Sequence, residues 1–342
     1  MTKLARDFGL RFGEIPTGAH NAITDVPGIR VGHATIAEGE LQTGVTAILP
    51  HAGNLYREKV RAAVEVINGF GKSAGLIQVE ELGSLETPIL LTNTFGVGAC
   101  TSALIRRAIA QNADIGRTTA TVNPVVCECN DGWLNDIQAM AVTEGTAFAA
   151  LDAAVEGAVA QGAVGAGRGM SCFGFKGGIG TSSRRLSLDG VDHHLGVLVL
   201  ANFGRAGDLI LPDGRRPLPE AQAQAERGSI IAILATDIPL ECRQLRRVSR
   251  RCGAGFARLG AFWGHGSGDI ALGFSTASRI HHDERRDLID MRALNEDRID
   301  DLFRAATDAT QEAVLNAMCC APGLLGYQAH CRPSLGDWLA RG

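Results

Sequence analysis

Residues 227–237 read RGSIIAILATD. From Ser229 to Thr236 apolar and β-branched side chains follow one another without a charge, the pattern of a strand buried on both faces. Residues 205–228 before it are the most polar and most Pro/Gly-punctuated part of the chain, which predicts an exposed connector. A loop therefore opens directly onto a central strand at Gly228–Ser229. On its N-terminal side HHLGVLVLANFG (residues 193–204) reads as a second buried strand, and GDIALGFSTAS (268–278) as a third. Between the last two, Leu240, Leu245, Val248, Cys252, Phe256 and Leu259 recur at helical spacing. The arginines among them (Arg243, Arg246, Arg247, Arg250, Arg251) are read as a solvated or subunit-facing surface.

The same reading extends outward. Residues 20–50 alternate short β-rich runs with Pro-Gly and Gly turns and predict strands; residues 55–67 predict a helix ended by Asn68-Gly69. ETPILLTNT is a strand, residues 97–111 a helix rich in small residues, and TATVNPVVCECN a strand again. The Ala-rich residues 136–161 predict helix, and residues 296–318 a final amphipathic helix. Strands and helices come in blocks rather than in strict βαβ alternation. That favours a layered α+β arrangement, sheets packed together with helices outside, over a doubly wound parallel sheet.

Bulk properties bound the function. The chain has 342 residues, 45% hydrophobic and 20% charged, with a formal net charge of −4, enough for a substantial core and without the basic excess that nucleic acid or an anionic membrane would call for. Glycine, at 43 residues, is well above the usual share of about 7% and predicts tight turns and close backbone approaches. The first 18 residues hold no apolar leader, and no stretch reaches the length of a membrane span. Nine cysteines without framework spacing read as reduced thiols of a cytoplasmic protein.

Three patterns are rejected as chemistry. Residues 165–180, GAGRGMSCFGFKGGIG, lack both GxxxxGK[ST] and a third glycine at dinucleotide spacing, so they read as packed turns. Asp192-His193-His194 and His281-His282-Asp283 lack a third ligand at useful spacing, and adjacent histidines in extended chain point to opposite faces. No metal or organic cofactor is expected. Gly71-Lys72-Ser73-Ala74-Gly75 matches GxSxG but follows the helix expected over 55–67, whereas a nucleophile elbow needs a strand before it.

Gly228–Ser229 remains. Glycine lets a peptide bond adopt a geometry other residues resist, and a serine hydroxyl can attack the preceding carbonyl to give an ester that water opens. The freed α-amine, with an ordinary pKa of about 7.7–8.0, can then act as general base for its own hydroxyl. Alone, the dipeptide reads better as an ordinary loop-to-strand junction.

From about residue 18 to 340, eight ordered blocks carry more: NAITDVPGIRVGHAT, GVTAILPH, LETPILLTNT, NPVVCECNDGWLNDI, GMSCFGFKGGIGTSSR, GVLVLANFG, RGSIIAILATDIPL and HGSGDIALGFSTA. Together they resemble the DmpA-type L-aminopeptidase/D-amidase-esterases of peptidase family S58, which include the β-peptidyl aminopeptidases. The resemblance implies a four-layer αββα sandwich of the N-terminal-nucleophile-like (DmpA/ArgJ-like) kind. It also implies a single domain over residues 1–342, self-cleaved into residues 1–228 and 229–342 and assembled as a homo-oligomer of cleaved units. Ser229 would be the nucleophile, freed at the Gly228–Ser229 bond. Ser267 and Asp269 would orient it; on a strand both would point to one face. Asn202 would donate its amide to the oxyanion. Glu128 and Asn130, on one face of a strand, would hold the substrate's free amine, and Trp133 would line the pocket. The substrate implied is a small peptide, amide or ester with a free amino terminus.

Two positions depart from the family pattern. Trp133 replaces a tyrosine, and an indole donates but does not accept. Lys72 stands where glutamate is frequent, which bears on substrate charge. The rival readings are an acyltransferase like the ornithine acetyltransferases or a nylon-oligomer hydrolase relative, which typically expose threonine, and an uncleaved, non-catalytic protein binding small amines.

Overall fold

The computed structural model describes residues 3–219 and 228–341. Part of the predicted connector, residues 220–227, therefore lies outside the described residues. In chain order the elements are β1 (Arg30–Glu38), β2 (Leu41–Leu49), β3 (Glu58–Gly69), α1 (Leu76–Leu82), β4 (Ser84–Leu85), β5 (Ile89–Asn93), α2 (Val97–Gln111), β6 (Val125–Cys129) and α3 (Glu144–Asp152). They continue as β7 (Ser171–Cys172), β8 (Phe175–Lys176), β9 (Gly178–Leu188), β10 (Val191–Asn202), β11 (Ser229–Thr236), α4 (Cys242–Arg258), β12 (Gly268–His281), α5 (Ile299–Cys319), β13 (Leu324–Leu325), β14 (Cys331–Arg332) and α6 (Leu335–Arg341).

A four-stranded sheet, β1-β2-β5-β6, faces a six-stranded one, β4-β3-β12-β11-β10-β9. Side-chain alternation assigns each face. On β11, Ile231, Ile233 and Ala235 enter the layer between the sheets, against Ile48, Leu91 and Cys127 of the other sheet. Ile230, Ala232 and Leu234 face the opposite way, against Leu245, Val248 and Phe256 of α4 and Ala309 and Ala313 of α5. Val45, Ala47, Leu90 and Val126 pack under Cys100, Leu104, Ala147 and Leu151 of α2 and α3. The order of layers is helix, sheet, sheet, helix, as the sequence predicts. Burial on both faces is why the β11 segment reads as an unbroken apolar run.

Four of the expected elements are corrected. Residues 55–67 are not a helix: Glu58–Gly69 is the strand β3, paired with β12 and β4. Val60, Ala62 and Val64 point between the sheets and Ala63 toward the helices. Apolar residues on both faces of an internal strand mimic the i, i+3, i+4 spacing of a helix. Within 136–161 the long α-helix shrinks to Glu144–Asp152, and the strand expected over 119–130 shrinks to Val125–Cys129. A further helix, α6, follows the one taken as final. The α4 arginines are largely engaged within the chain: Arg246 and Arg250 grip the Glu65 carboxylate of β3 at 3.0 and 2.8 Å, and Arg243 and Arg247 both bond Glu296. Arg251 lies 3.6 Å over the Phe303 ring. Charged side chains thus lock α4 to its neighbours.

Segments either side of residue 228 are joined by a buried ion cluster. Glu312 of α5 accepts from Arg184 of β9 at 2.8 Å, from Arg6 at 2.5 and 2.8 Å, and from Asn21 at 2.7 Å. The Arg184 and Glu312 side chains are fully buried. Burial, the largest influence, opposes ionisation of Glu312, but the bonds from Arg6, Arg184 and Asn21 outweigh it and hold the carboxyl below its usual range. Glu312→Ala leaves Arg184 charged and unpaired in the core, so an expected loss of about 3–5 kcal/mol should appear in urea unfolding. No helix among the described residues is long and apolar enough to cross a membrane.

Candidate active site

Strand ends from both sheets meet at one end of the inter-sheet layer. β10 and β11 are antiparallel, with Asn202 opposite Ser229. β11 and β12 are parallel, with Ile230 beside Asp269, and β12 sets Gly268 opposite Gly69 of β3. From the facing sheet the end of β6 arrives, where the Cys129 thiol donates to the backbone carbonyl of Ser229 at 3.3 Å. Parity carries Ser229 to the inter-sheet side with Ile231 and Ile233, and Asn202 to the same side with Leu198 and Leu200.

Ser229 is almost fully buried, and its Oγ accepts a hydrogen bond from the backbone N–H of Gly268 at 3.1 Å. Both neighbours are sterically required to be glycine. A Cβ on Gly268 would lie 2.6 Å from the Gly71 nitrogen and 3.2 Å from Ser229 Oγ; one on Gly228 would lie 1.8 Å from the Asn202 carbonyl oxygen. The sequence reading gave Gly268 no role. The structure makes its amide the donor to the serine oxygen.

Ser267 and Asp269 are both buried, and the Ser267 hydroxyl donates to the Asp269 carboxylate at 2.7 Å. They do not meet as two residues of one strand. Ser267 lies in the turn before β12, its carbonyl fixed by the Asn68 side-chain amide at 2.7 Å and its N–H bonded to Gly264. The turn lets hydroxyl and carboxylate bond each other while the intervening Gly268 amide points at Ser229.

Asn202 is braced at both ends of its amide. Its Oδ1 accepts from the Ser171 N–H at 2.8 Å, and its Nδ2 donates to the Asn130 carbonyl at 2.8 Å. That bond uses one of the two amide hydrogens. Ser171 belongs to the glycine-rich segment rejected as a phosphate loop, which acts as a support. Lys176, fully buried, donates to the carbonyls of Gly167, Met170 and Gly177 at 2.8–3.0 Å, and burial pushes its pKa well below the usual lysine range. No sequence motif announces this lysine; only the tertiary fold buries it behind Asn202.

Glu128 is nearly inaccessible. One carboxylate oxygen accepts from the Lys72 backbone N–H at 2.8 Å, and the other from the Thr94 hydroxyl. Segment 71–74 runs along the β6 edge, where Ala74 and Val126 exchange backbone bonds. A Cβ added at Gly71 would lie 3.6 Å from the Glu128 carboxylate and 3.8 Å from Gly268, so the carboxylate and Ser229 border the same junction. Asn130 lies just past the end of β6, and its side chain closes a turn on the Gly132 N–H at 2.9 Å while its carbonyl holds Asn202. Its amide oxygen is thus engaged locally. Asp131 next to it is buried and bonded by Asn93 and Asn135; burial raises its pKa to about 6.

Trp133 is stacked on His330, ring centroids 3.6 Å apart, with the Arg332 guanidinium 4.8 Å from its ring. Its buried indole N–H has no acceptor among the described residues.

The rejected patterns fall elsewhere. Ser73 does follow a strand (β3) and precede a helix (α1), contrary to the reason given for dismissing it. What disqualifies it is its surroundings: its hydroxyl is buried beside the Cys127 thiol, whose pKa burial raises to about 12. His193 approaches Asp237 at 3.4 Å, and the His282 ring packs tilted against Tyr56, centroids 4.7 Å apart. No group of three His, Cys, Asp or Glu side chains among the described residues is placed to hold a metal ion.

The model of peptidase family S58 matches residues 21–332. This chain belongs to peptidase family S58. It is 38% identical to the β-peptidyl aminopeptidase BapA of Sphingosinicella microcystinivorans over 353 aligned residues, covering 95% of this chain and 88% of that one. The PH0078 protein of Pyrococcus horikoshii OT3 superposes with a TM-score of 0.92 at 43% identity, covering 99% of this chain and 98% of the other. The L-aminopeptidase D-Ala-esterase/amidase of Ochrobactrum anthropi, described as a variant of the Ntn hydrolase fold, superposes with a TM-score of 0.91 at 38% identity, covering 99% and 97%. The αββα sandwich is therefore of the N-terminal-nucleophile hydrolase kind, and this S58 member is a hydrolase of the aminopeptidase and amidase type acting on peptides.

Proposed function

We propose that this S58 enzyme is a single-domain chain that cleaves its own Gly228–Ser229 bond, and that the freed Ser229 is the nucleophile toward amino-terminal amides, peptides and esters. The observation that carries the reading is the Gly268 N–H bond to Ser229 Oγ, made directly opposite Asn202. That bond orients the hydroxyl, and the crowding at Gly228 leaves its carbonyl within the same corner. Attack by Oγ forms the ester and transfers the proton to the departing Ser229 nitrogen. Water then opens the ester, leaving Gly228 as a carboxylate and Ser229 with a free α-amine.

In turnover the neutral amine takes the hydroxyl proton while Oγ attacks the substrate carbonyl. The remaining Asn202 N–H meets the oxyanion. The proton passes from the Ser229 ammonium to the leaving amine, and water repeats the sequence on the acyl-enzyme. Asp269, bonded to Ser267, offers negative charge that favours the ammonium form. Glu128 is the partner of the substrate ammonium, and Trp133 and Asn130 border its pocket. The resemblance that supports cleavage also supports a homo-oligomer of cleaved units, and the cysteines without framework spacing support a cytoplasmic location. The names of the Sphingosinicella relatives support β-amino acyl substrates for this chain.

Denaturing mass spectrometry tests the central step. Two polypeptides, residues 1–228 and 229–342, are expected, the smaller beginning at Ser229 on amino-terminal sequencing. A persistent 36.0 kDa chain after long incubation overturns self-processing.

A further inference from the structure

Lys72 is an exposed cation whose backbone lies against Glu128. Its backbone N–H bonds the Glu128 carboxylate, while its ammonium donates to the Phe70 carbonyl at 2.6 Å and lies 3.9 Å from the Phe70 ring centroid. It forms no ion pair with a carboxylate among the described residues. The second bond to Glu128 comes from Thr94, followed by Phe95; Phe70 and Phe95 are each about half exposed. The rim beside Glu128 therefore offers one cation against two apolar rings.

Resting on the reading that Glu128 receives the substrate ammonium, we propose that Lys72 selects an acyl residue bearing a carboxylate on the same carbon as its amine, the β-aspartyl residue. Such a head group is zwitterionic. Its ammonium meets Glu128, its carboxylate meets Lys72, and its scissile carbonyl, one carbon further along, reaches Ser229. An α-peptide cannot present this pair, because the carboxyl on its amine-bearing carbon is the amide to be cleaved. β-Alanine has the right length but nothing for Lys72 to bind. The Phe70 carbonyl and ring hold the ammonium in place, which lowers the entropy lost on pairing.

The test is the ratio of kcat/KM for β-aspartyl and β-alanyl p-nitroanilides, read within each enzyme. The ratio is expected above one for wild type. It should fall about fivefold in Lys72→Met, the scale of one partly exposed ion pair, and at least about tenfold in Lys72→Glu, where like charges oppose. Lys72→Arg should keep it above one. A ratio unchanged in Lys72→Met and Lys72→Glu overturns the inference, as does faster turnover of the α-aspartyl or γ-glutamyl analogue. A wild-type enzyme that hydrolyses the β-alanyl but not the β-aspartyl compound overturns this inference alone. Hydrolysis of neither while α-aminoacyl p-nitroanilides are turned over also overturns this inference alone; hydrolysis of none of these compounds overturns the Ser229 reading beneath it as well.

Discussion

Ser229→Ala is expected to yield one uncleaved chain and to lower amide hydrolysis by at least about 10^4-fold, the scale seen when a nucleophile is removed. Both effects follow from one atom. Oγ is the group oriented by the Gly268 amide, and without it neither the Gly228 carbonyl nor a substrate carbonyl has an attacker. The substitution removes a single oxygen from a buried site and leaves the β10–β11–β12 register untouched, so circular dichroism should match that of the cleaved wild type. Intact mass and turnover of an amino-acid p-nitroanilide check the two halves separately. Cleavage that survives the substitution would mean another bond or an outside protease. Activity that survives it would move the nucleophile elsewhere.

Asn202→Ala has the next largest expected effect. A preorganised donor at a developing oxyanion is worth about 2.7–4 kcal/mol, so kcat should fall about 10²–10³-fold while KM changes little. The same donor faces both reactions, and processing should slow in parallel, visible as a 36.0 kDa precursor that persists for hours after synthesis. Asn202→Asp discriminates bracing from donation. It keeps the oxygen that accepts from Ser171 but places a second oxygen against the Asn130 carbonyl and removes the donor. It should therefore be at least as impaired as alanine. A variant whose KM rises while kcat is unaltered would make Asn202 a ground-state contact.

Much of the architecture was legible in order and type. The α2 helix over 97–111, the strands β10 and β11, and the layered α+β arrangement follow from composition and period alone. β3 did not, because an internal strand with both faces apolar has no polar alternation to betray it, and Ala-Val repeats suit either period. That one error also supplied the wrong reason for dismissing Ser73. Short elements inside 136–161 escaped for the opposite reason: alanine-rich sequence favours helix everywhere, and tertiary packing kept only Glu144–Asp152 helical.

The candidate site divides in the same way. Ser229, Asn202, Ser267, Asp269 and Glu128 could be named because their types and ordered motifs carry family resemblance. Their relations could not. That Gly268 and not Ser267 donates to the serine oxygen, that Asn130 acts on Asn202 through its carbonyl, and that a buried lysine underpins the Asn202 support are backbone facts, and a backbone amide looks the same at every position of a sequence.

By itself, the sequence determined the layer order, the family and the loop-to-strand junction at Gly228–Ser229, because local period and motif survive without knowledge of distant partners. Only the tertiary structure decided why residue 228 of that junction must be glycine. Strand register places residue 228 against the Asn202 carbonyl with no space for a side chain, and brings the amide of a residue 39 positions away onto Ser229. Contacts of that kind are set by pairing between distant segments, which no local pattern records.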